Sequence, residues 1–343
     1  HFGRPKGRSD QKYSLKFLCP ILENELEIDN IIFLKNFDND QIQLKLKKMK
    51  TTDICLFENI RFNLSEETND LSFIKKICEN FDIFINDAFS ASHRRHASIV
   101  GPPNFLPSLA GESLINEIKN INIFFDNPKN PNLAIIGGSK ISTKIGLLKN
   151  LIRFFDRIII GGAMANTFFL AVNKSIGKSL CEKDFSFMAL EILKKAKKYK
   201  CEIILPIDVV CAKSIEDKSL IRNYDIDKIP DNLMALDVGE KTILEINKII
   251  LDSKMILWNG PLGAFEYSPF SKSSLQIANT INNYKKKLDI STIAGGGDTV
   301  AVINLAKAKK GFDYMSNAGG AFLEWLEGNE SPGVLALREN KIF

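Results

Sequence analysis

Four glycine clusters stand where short apolar runs end: Gly137-Gly138-Ser139-Lys140, Gly161-Gly162-Ala163-Met164, Gly295-Gly296-Gly297-Asp298-Thr299 and Ala318-Gly319-Gly320-Ala321. Glycine lets backbone N–H groups approach a ligand closely, and a helix that starts beyond it favours an anion. One such cluster is most simply a tight strand-to-helix turn. Four in the second of two domains point to a phosphate-bearing ligand. The spacing puts Lys140 in the first turn of a helix over 140–155, where the macrodipole disfavours cations. Lys144 follows four residues later on the same face. A bound polyanion explains the pair; two solvated lysines are the alternative. Asp298 is an ordinary N-cap by position. After three glycines, its carboxylate could also reach a magnesium ion carried on phosphates. Glu266 follows Trp258-Asn259-Gly260-Pro261-Leu262-Gly263, a rigid turn, and alone is an unremarkable surface acid.

A second set of groups lies upstream. Two apolar runs end in basic loops, Glu58-Asn59-Ile60-Arg61-Phe62 and the stretch from Asn86 to His93-Arg94-Arg95-His96. Together with His1 and Arg4 they could line one sheet edge. The guanidinium fork meets carboxylate or phosphate oxygens with paired hydrogen bonds, so a small, doubly anionic substrate suits the cluster. Any single one of these arginines is equally a surface loop residue.

The elements that must position these groups are legible as alternation. Apolar runs at Ile31–Leu34, 53–57 and 82–86, then 133–136, Arg157–Ile160, 202–206, 255–258 and 291–294, read as strands. Helical periods lie at 71–80, 112–125, 140–155, 185–200, 240–253, 271–284 and 299–309. This is the pattern of parallel α/β sheets, with ligands at the carboxyl ends of the strands. The polar, proline-containing stretch Asp126-Asn127-Pro128-Lys129-Asn130-Pro131 is a linker. With 343 residues, 45% hydrophobic and 25% charged, the chain can build two sizeable cores.

Several classes are excluded or weakened. The net charge of +5 is spread along helix-like segments, which gives no basic arm for nucleic acid. No run of about 18 apolar residues suggests a membrane span. Six cysteines without CxxC pairing fit a reducing cytoplasm rather than a disulfide or zinc framework. Gly177-Lys178-Ser179 ends like a P-loop, but Val172 stands where that motif needs glycine. No GxGxxG opens a helix after a strand, which weighs against a nicotinamide-dependent oxidoreductase. No protein-kinase catalytic-loop signature occurs.

These stretches together resemble the phosphoglycerate kinase family over the length of the chain. The resemblance rests on His1-Phe2-Gly3-Arg4-Pro5, Glu58 to Phe62, Asp87-Ala88-Phe89 with His93-Arg94, Gly137 to Lys140 with Lys144, Trp258 to Pro261, Gly295 to Thr299 and Gly319 to Glu324. It implies two Rossmann-like three-layer α/β/α domains with parallel sheets, joined by a hinge helix. Their expected limits are a phosphoglycerate-binding domain at 1–110, incomplete at its start, a hinge helix and linker at 111–131, and a nucleotide-binding domain at 132–322. Residues 323–343 are expected to pack back toward the first domain. The activity implied is phosphoryl transfer from 1,3-bisphosphoglycerate to MgADP by a monomer that closes at its hinge. His1, Arg4, Arg61 and Arg94 would bind the phosphoglycerate moiety. Lys140 and Gly297 would serve the transfer itself. Gly138, Lys144, Asn259, Gly263, Glu266, Gly296, Gly297, Asp298 and Thr299 would bind ADP or ATP, with Asp298 on Mg2+. Phe2, Ser90 and Ala163 depart conservatively, and Asn317 stands where the family usually has threonine. The family's opening strand supplies an aspartate, an asparagine and an arginine that have no counterpart before His1. The expectation is therefore a fragment, impaired as written; a catalytically silent chain and an oxidoreductase are the rival readings.

Overall fold

The computed structural model describes residues 1–217 and 219–342. The chain forms two compact units, His1–Ile115 with Glu330–Phe343, and Asn116–Asn329.

In the first unit, β1 (Ile31–Leu34) pairs in parallel with β2 (Ile54–Phe57), and β3 (Phe84–Asn86) pairs in parallel with β4 (Ser108–Ala110). The sequence pattern gives the first three; Ser108–Ala110 is too short to carry a period. Helix α1 (Leu71–Cys78) starts at Asp70, whose carboxylate accepts from the N–H groups of Ser72 and Phe73. Its Ile74, Ile77 and Cys78 join Leu34, Ile42, Ala97 and Leu106 in the core. The C-terminal helix Pro332–Glu339 belongs to this unit. Gly333 lets it approach Ser92 and Ile99, where a Cβ would stand within 3.0 Å of both side chains. Beyond it, Asn340 accepts from the Ser108 N–H at 3.3 Å and donates to the carbonyls of Pro103 and Leu106 at 2.6 and 3.0 Å.

The chain passes from one unit to the other within α2 (Glu112–Asp126). Asp87 accepts from the Leu114 N–H at 3.0 Å and the Ser113 hydroxyl at 2.9 Å, so it holds the first turn of α2.

The second unit is built on a six-stranded parallel sheet. Its strands are β5 (Asn132–Ile136), β6 (Arg157–Ile160), β7 (Glu202–Ile204), β11 (Met255–Asn259), β12 (Ser291–Gly295) and β13 (Tyr314–Ser316), in the order β13-β12-β11-β5-β6-β7. β5 and β11 are buried at every residue, which is why they read as unbroken apolar runs rather than alternating ones. A second, antiparallel sheet of β8 (Asp208–Ala212), β9 (Arg222–Asp225) and β10 (Met234–Val238) has the order β10-β8-β9. The sequence reading does not find this sheet: Arg-Asn-Tyr-Asp has no apolar face, and the β10 register slips between Ala235 and Asp237.

The helix expected over 140–155 is two pieces, a 3₁₀ turn at Ile141–Thr143 and α3 (Ile145–Leu151). Lys140 is extended, with φ −131° and ψ 124°, and Lys144 breaks the path at φ −125° and ψ 0°. Side chains compete with helical bonding here: the Thr143 hydroxyl donates to the Lys140 carbonyl at 2.9 Å, and the Ser142 N–H goes to Glu182 at 2.9 Å. The two lysines therefore do not share a helix face. Among the described residues, no helix is long and apolar enough to cross a membrane.

Candidate functional site

At the carboxyl edge of the six-stranded sheet, some glycines are there for packing. A Cβ on Gly137 would stand 1.9 Å from the Pro261 carbonyl oxygen, and one on Gly260 2.2 Å from that of Gly137. Gly162 meets the backbone of Gly138 at 2.5 Å in the same way, and Gly161 meets Leu262. The Gly137 N–H donates to Asn259 at 3.0 Å and the Gly162 N–H to Leu262 at 2.9 Å, which stitches the ends of β5, β6 and β11 together. Other glycines have less crowded surroundings or special backbone conformations. Gly138 (φ +138°) and Gly296 (φ +95°) hold conformations that favour glycine, and around Gly297 and Gly319 a Cβ would meet nothing within 4 Å. The same clusters thus serve both as tight turns and as an uncovered backbone.

Lys140 and Lys144 have opposite surroundings. Lys140 is exposed, whereas Lys144 is buried and its ammonium donates to Asn259 Oδ1. Burial pulls the Lys144 pKa down to about 8, against the opposing charges of Asp298 and Glu327. Asn259 Nδ2 donates to the Gly295 carbonyl at 2.6 Å. The Thr299 hydroxyl accepts from the Gly260 N–H at 2.7 Å and donates to Gly295 at 2.9 Å. The side chains of Asn259 and Thr299 therefore brace the β11 and β12 ends. Helix α4 (Gly297–Leu305) starts here, with the exposed Asp298 in its first turn.

Beside these groups opens a cleft of about 450 Å³. Gly138, Gly263, Glu266 and Asp298 line it, together with an apolar wall that includes Phe169, Leu236, Val238, Pro261 and Leu262. Glu266 is exposed at its rim. The chemistry offered is a flat apolar slot with acceptors and open backbone at its edge.

Sequence reasoning missed β10 and with it Asp237, which lines the cleft and is 4% exposed. The available signal was an apolar run ending at Gly239, directly before the helix expected at 240–253. Asp237 accepts from the Ser273 N–H at 3.1 Å, from the Ser273 hydroxyl and from the Val238 N–H at 2.9 Å. Gly263 packs on it so closely that a Cβ would lie 2.3 Å from Oδ1. Burial pushes the carboxyl up to about 7, although these donors and Lys272 oppose it. The folded chain thus keeps a proton that the unfolded chain releases near the ordinary carboxylate pKa. The contribution of this group to stability falls as pH rises through that window and stays lost above about 7. Asp237→Asn is expected to remove that loss. Between about pH 5.5 and about pH 8 its melting temperature should fall less than that of the unmodified chain, and an equal fall would refute the assignment.

The first unit gathers three guanidiniums. Arg61, 2% exposed, donates from Nη1 to the Gly3 carbonyl at 2.9 Å, and its Nε lies 3.3 Å from Glu67 Oε1. Among the described residues, its Nε and Nη2 make no hydrogen bond. Asn59 Nδ2 donates to the carbonyls of Phe2 and Tyr13 at 2.7 and 2.9 Å, which fastens the opening loop to the end of β2. Arg4 on that loop and the half-buried Arg94 both act on Arg61. Burial lowers its pKa first; Glu67 and Glu66 oppose that, while the two arginines add to it. His1 is exposed at the start of the same loop. Glu66 is held by the Ser98 N–H at 2.8 Å and the Ser98 hydroxyl at 2.7 Å, with His96 Nδ1 at 3.6 Å. A buried guanidinium beside two further cations can receive a carboxylate or phosphate oxygen.

Each unit carries groups that can receive phosphate oxygens, and two Rossmann-like α/β units so equipped have the make-up of a phosphotransferase. A family model described as "Phosphoglycerate kinase" matches residues 1–329, and the chain belongs to the phosphoglycerate kinase family. It is 43% identical over 339 residues to the phosphoglycerate kinase of Chelativorans sp. (strain BNC1), covering 99% of this chain and 85% of the relative. With that of Xanthobacter flavus it shares 42% over 338 residues, covering 98% and 85%. The solved phosphoglycerate kinase from Coxiella burnetii superposes with a TM-score of 0.88 at 35% identity, over 99% of this chain and 85% of that one. The enzyme from Pyrococcus horikoshii OT3, at 24% identity and a TM-score of 0.82 over 98% and 85%, shares the fold. These likenesses do not favour an oxidoreductase or a silent chain.

Proposed function

We propose that the reaction of this phosphotransferase, reversible transfer from 1,3-bisphosphoglycerate to ADP giving 3-phosphoglycerate and ATP in glycolysis, is divided between the two sites described. Arg61, Arg4, Arg94 and His1 hold the phosphoglycerate anion, Arg61 supplying the donors that lack partners. The nucleotide base lies in the apolar cleft between Gly138 and Gly263, and Glu266 at the rim takes the ribose hydroxyls. Lys144 meets the nucleotide phosphates, with Asn259 fixing its ammonium. The backbone at Gly296 and at the open Gly297, and the first turn of α4 at Asp298 and Thr299, receive phosphate oxygens.

A magnesium ion fits this arrangement. Magnesium keeps water and phosphate ligands and needs one or two carboxylates from the protein. Asp298 supplies one, exposed, in the cleft and beside the uncovered Gly297. When bound, the ion neutralises charge on the phosphate oxygens. Lys140, exposed and extended, reaches the phosphoryl group in transfer, and the Gly297 N–H stabilises the same oxygens. Transfer needs donor and acceptor aligned, and α2, in which the chain leaves one unit for the other, is the proposed pivot. Both sites come from one chain, which suits a monomer, and six free cysteines suit a reducing cytoplasm.

The single observation that carries this division is the buried Arg61, whose Nη2 makes no hydrogen bond among the described residues, in a unit distinct from the nucleotide cleft. Calorimetric titration tests it. Arg61→Met is expected to weaken 3-phosphoglycerate binding at least about tenfold while MgADP affinity stays within about twofold. Equal weakening of both ligands would overturn the division.

A further inference from the structure

We propose that Glu182 is a positioning residue for phosphoryl transfer, holding the turn that carries Lys140; the inference rests on the transfer role assigned to Lys140 above. The Glu182 carboxylate accepts from the Ser142 N–H at 2.9 Å and the Ser142 hydroxyl at 2.7 Å. The Ile141 N–H and the Lys140 charge both favour its ionised form. Burial works against its ionisation, yet these partners hold its pKa below the ordinary carboxylate value. Glu182 is itself fixed, its N–H donating to the Thr167 hydroxyl at 3.1 Å, and Thr167 is fully buried.

The consequence for Lys140 follows from its backbone. Ile141, fully buried, anchors the turn, and Glu182 takes both the N–H and the hydroxyl of Ser142, two residues after Lys140. The Ser142 N–H is therefore committed to Glu182, and the exposed lysine side chain is left to face a phosphate from this turn. A long exposed side chain has many rotamers, so the reach of its ammonium depends on where the turn sets its Cα. Glu182 replaces the helical bonding that residues 140–144 would otherwise adopt, which would swing Lys140 into a first helical turn. The opposite charges of Glu182 and Lys140 also attract through space.

Steady-state kinetics with a double-mutant cycle test the proposal. Glu182→Gln keeps the size but loses one acceptor and the charge. It is expected to lower kcat on the order of tenfold, with KM for MgADP and for 3-phosphoglycerate within about twofold. Glu182→Asp should fall between the two, and Ser142→Ala, which removes one donor from the other side, should lower kcat about threefold. In a Lys140→Ala background, Glu182→Gln should change kcat less than about twofold, because its effect passes through the missing ammonium. A full tenfold loss in that background, or a loss confined to KM or to melting temperature, overturns the positioning role alone. If Lys140→Ala leaves kcat unchanged, the transfer role of Lys140 falls, and this inference with it.

Discussion

Lys140→Ala is expected to lower kcat by about 10²- to 10³-fold while KM for MgADP moves less than about threefold. In phosphoryl transfer the protein has little covalent chemistry to perform, and rate comes from positioning and from charge placed against the equatorial oxygens. A preorganised donor at such a position is worth roughly 3–4 kcal/mol in the transition state. Lys140 suits that role because its side chain is exposed and its backbone extended just beyond β5. The substitution should therefore leave the melting temperature almost unchanged, and a coupled assay read beside a thermal scan separates chemistry from folding. A variant that keeps more than about a third of wild-type kcat would exclude Lys140 from the transfer step.

Gly137→Ala should do the opposite, abolishing nucleotide binding through the fold. The added methyl would meet the Pro261 carbonyl oxygen at 1.9 Å, its carbon at 2.6 Å and the Gly260 oxygen at 2.7 Å. All three are backbone atoms, so no rotamer change relieves the contact. β5 and β11, adjacent at the centre of the sheet, would have to part at the end where the cleft forms. Overpacking of this kind commonly costs about 1–3 kcal/mol, and a clash confined to backbone belongs at the upper end or beyond. The buried Trp258 on β11 reports the outcome, since its fluorescence transition should move to lower denaturant concentration. Gly297→Ala is the control. Nothing lies within 4 Å of its Cβ, so stability should hold while nucleotide affinity falls. A Gly137→Ala protein with an unchanged unfolding midpoint would mean the strand ends are looser than they stand here.

Much of this was open to reading in the residues alone. The fully buried β5 and β11 announce themselves as apolar runs, because a parallel strand covered on both faces has no polar side to show. The glycine clusters mark the strand ends for a related reason: close backbone approach excludes a Cβ, whether the neighbour is Pro261 or a ligand. Periodicity could not tell these two uses apart, since both demand the same residue.

Three-dimensional packing decided the rest. Lys140 and Lys144, four apart, look like one helix face; Ser142, Thr143 and Glu182 break the helix and leave one lysine exposed and the other buried against Asn259. Asp237 lies on a strand whose register slips, and only its burial beneath Gly263 makes it a cleft carboxyl with a raised pKa. Residue type and local order fixed which chemistry was possible. Burial and partners distant along the chain determined which group of each type is charged, free and facing the ligand, because desolvation and hydrogen bonding depend on neighbours that no local window contains.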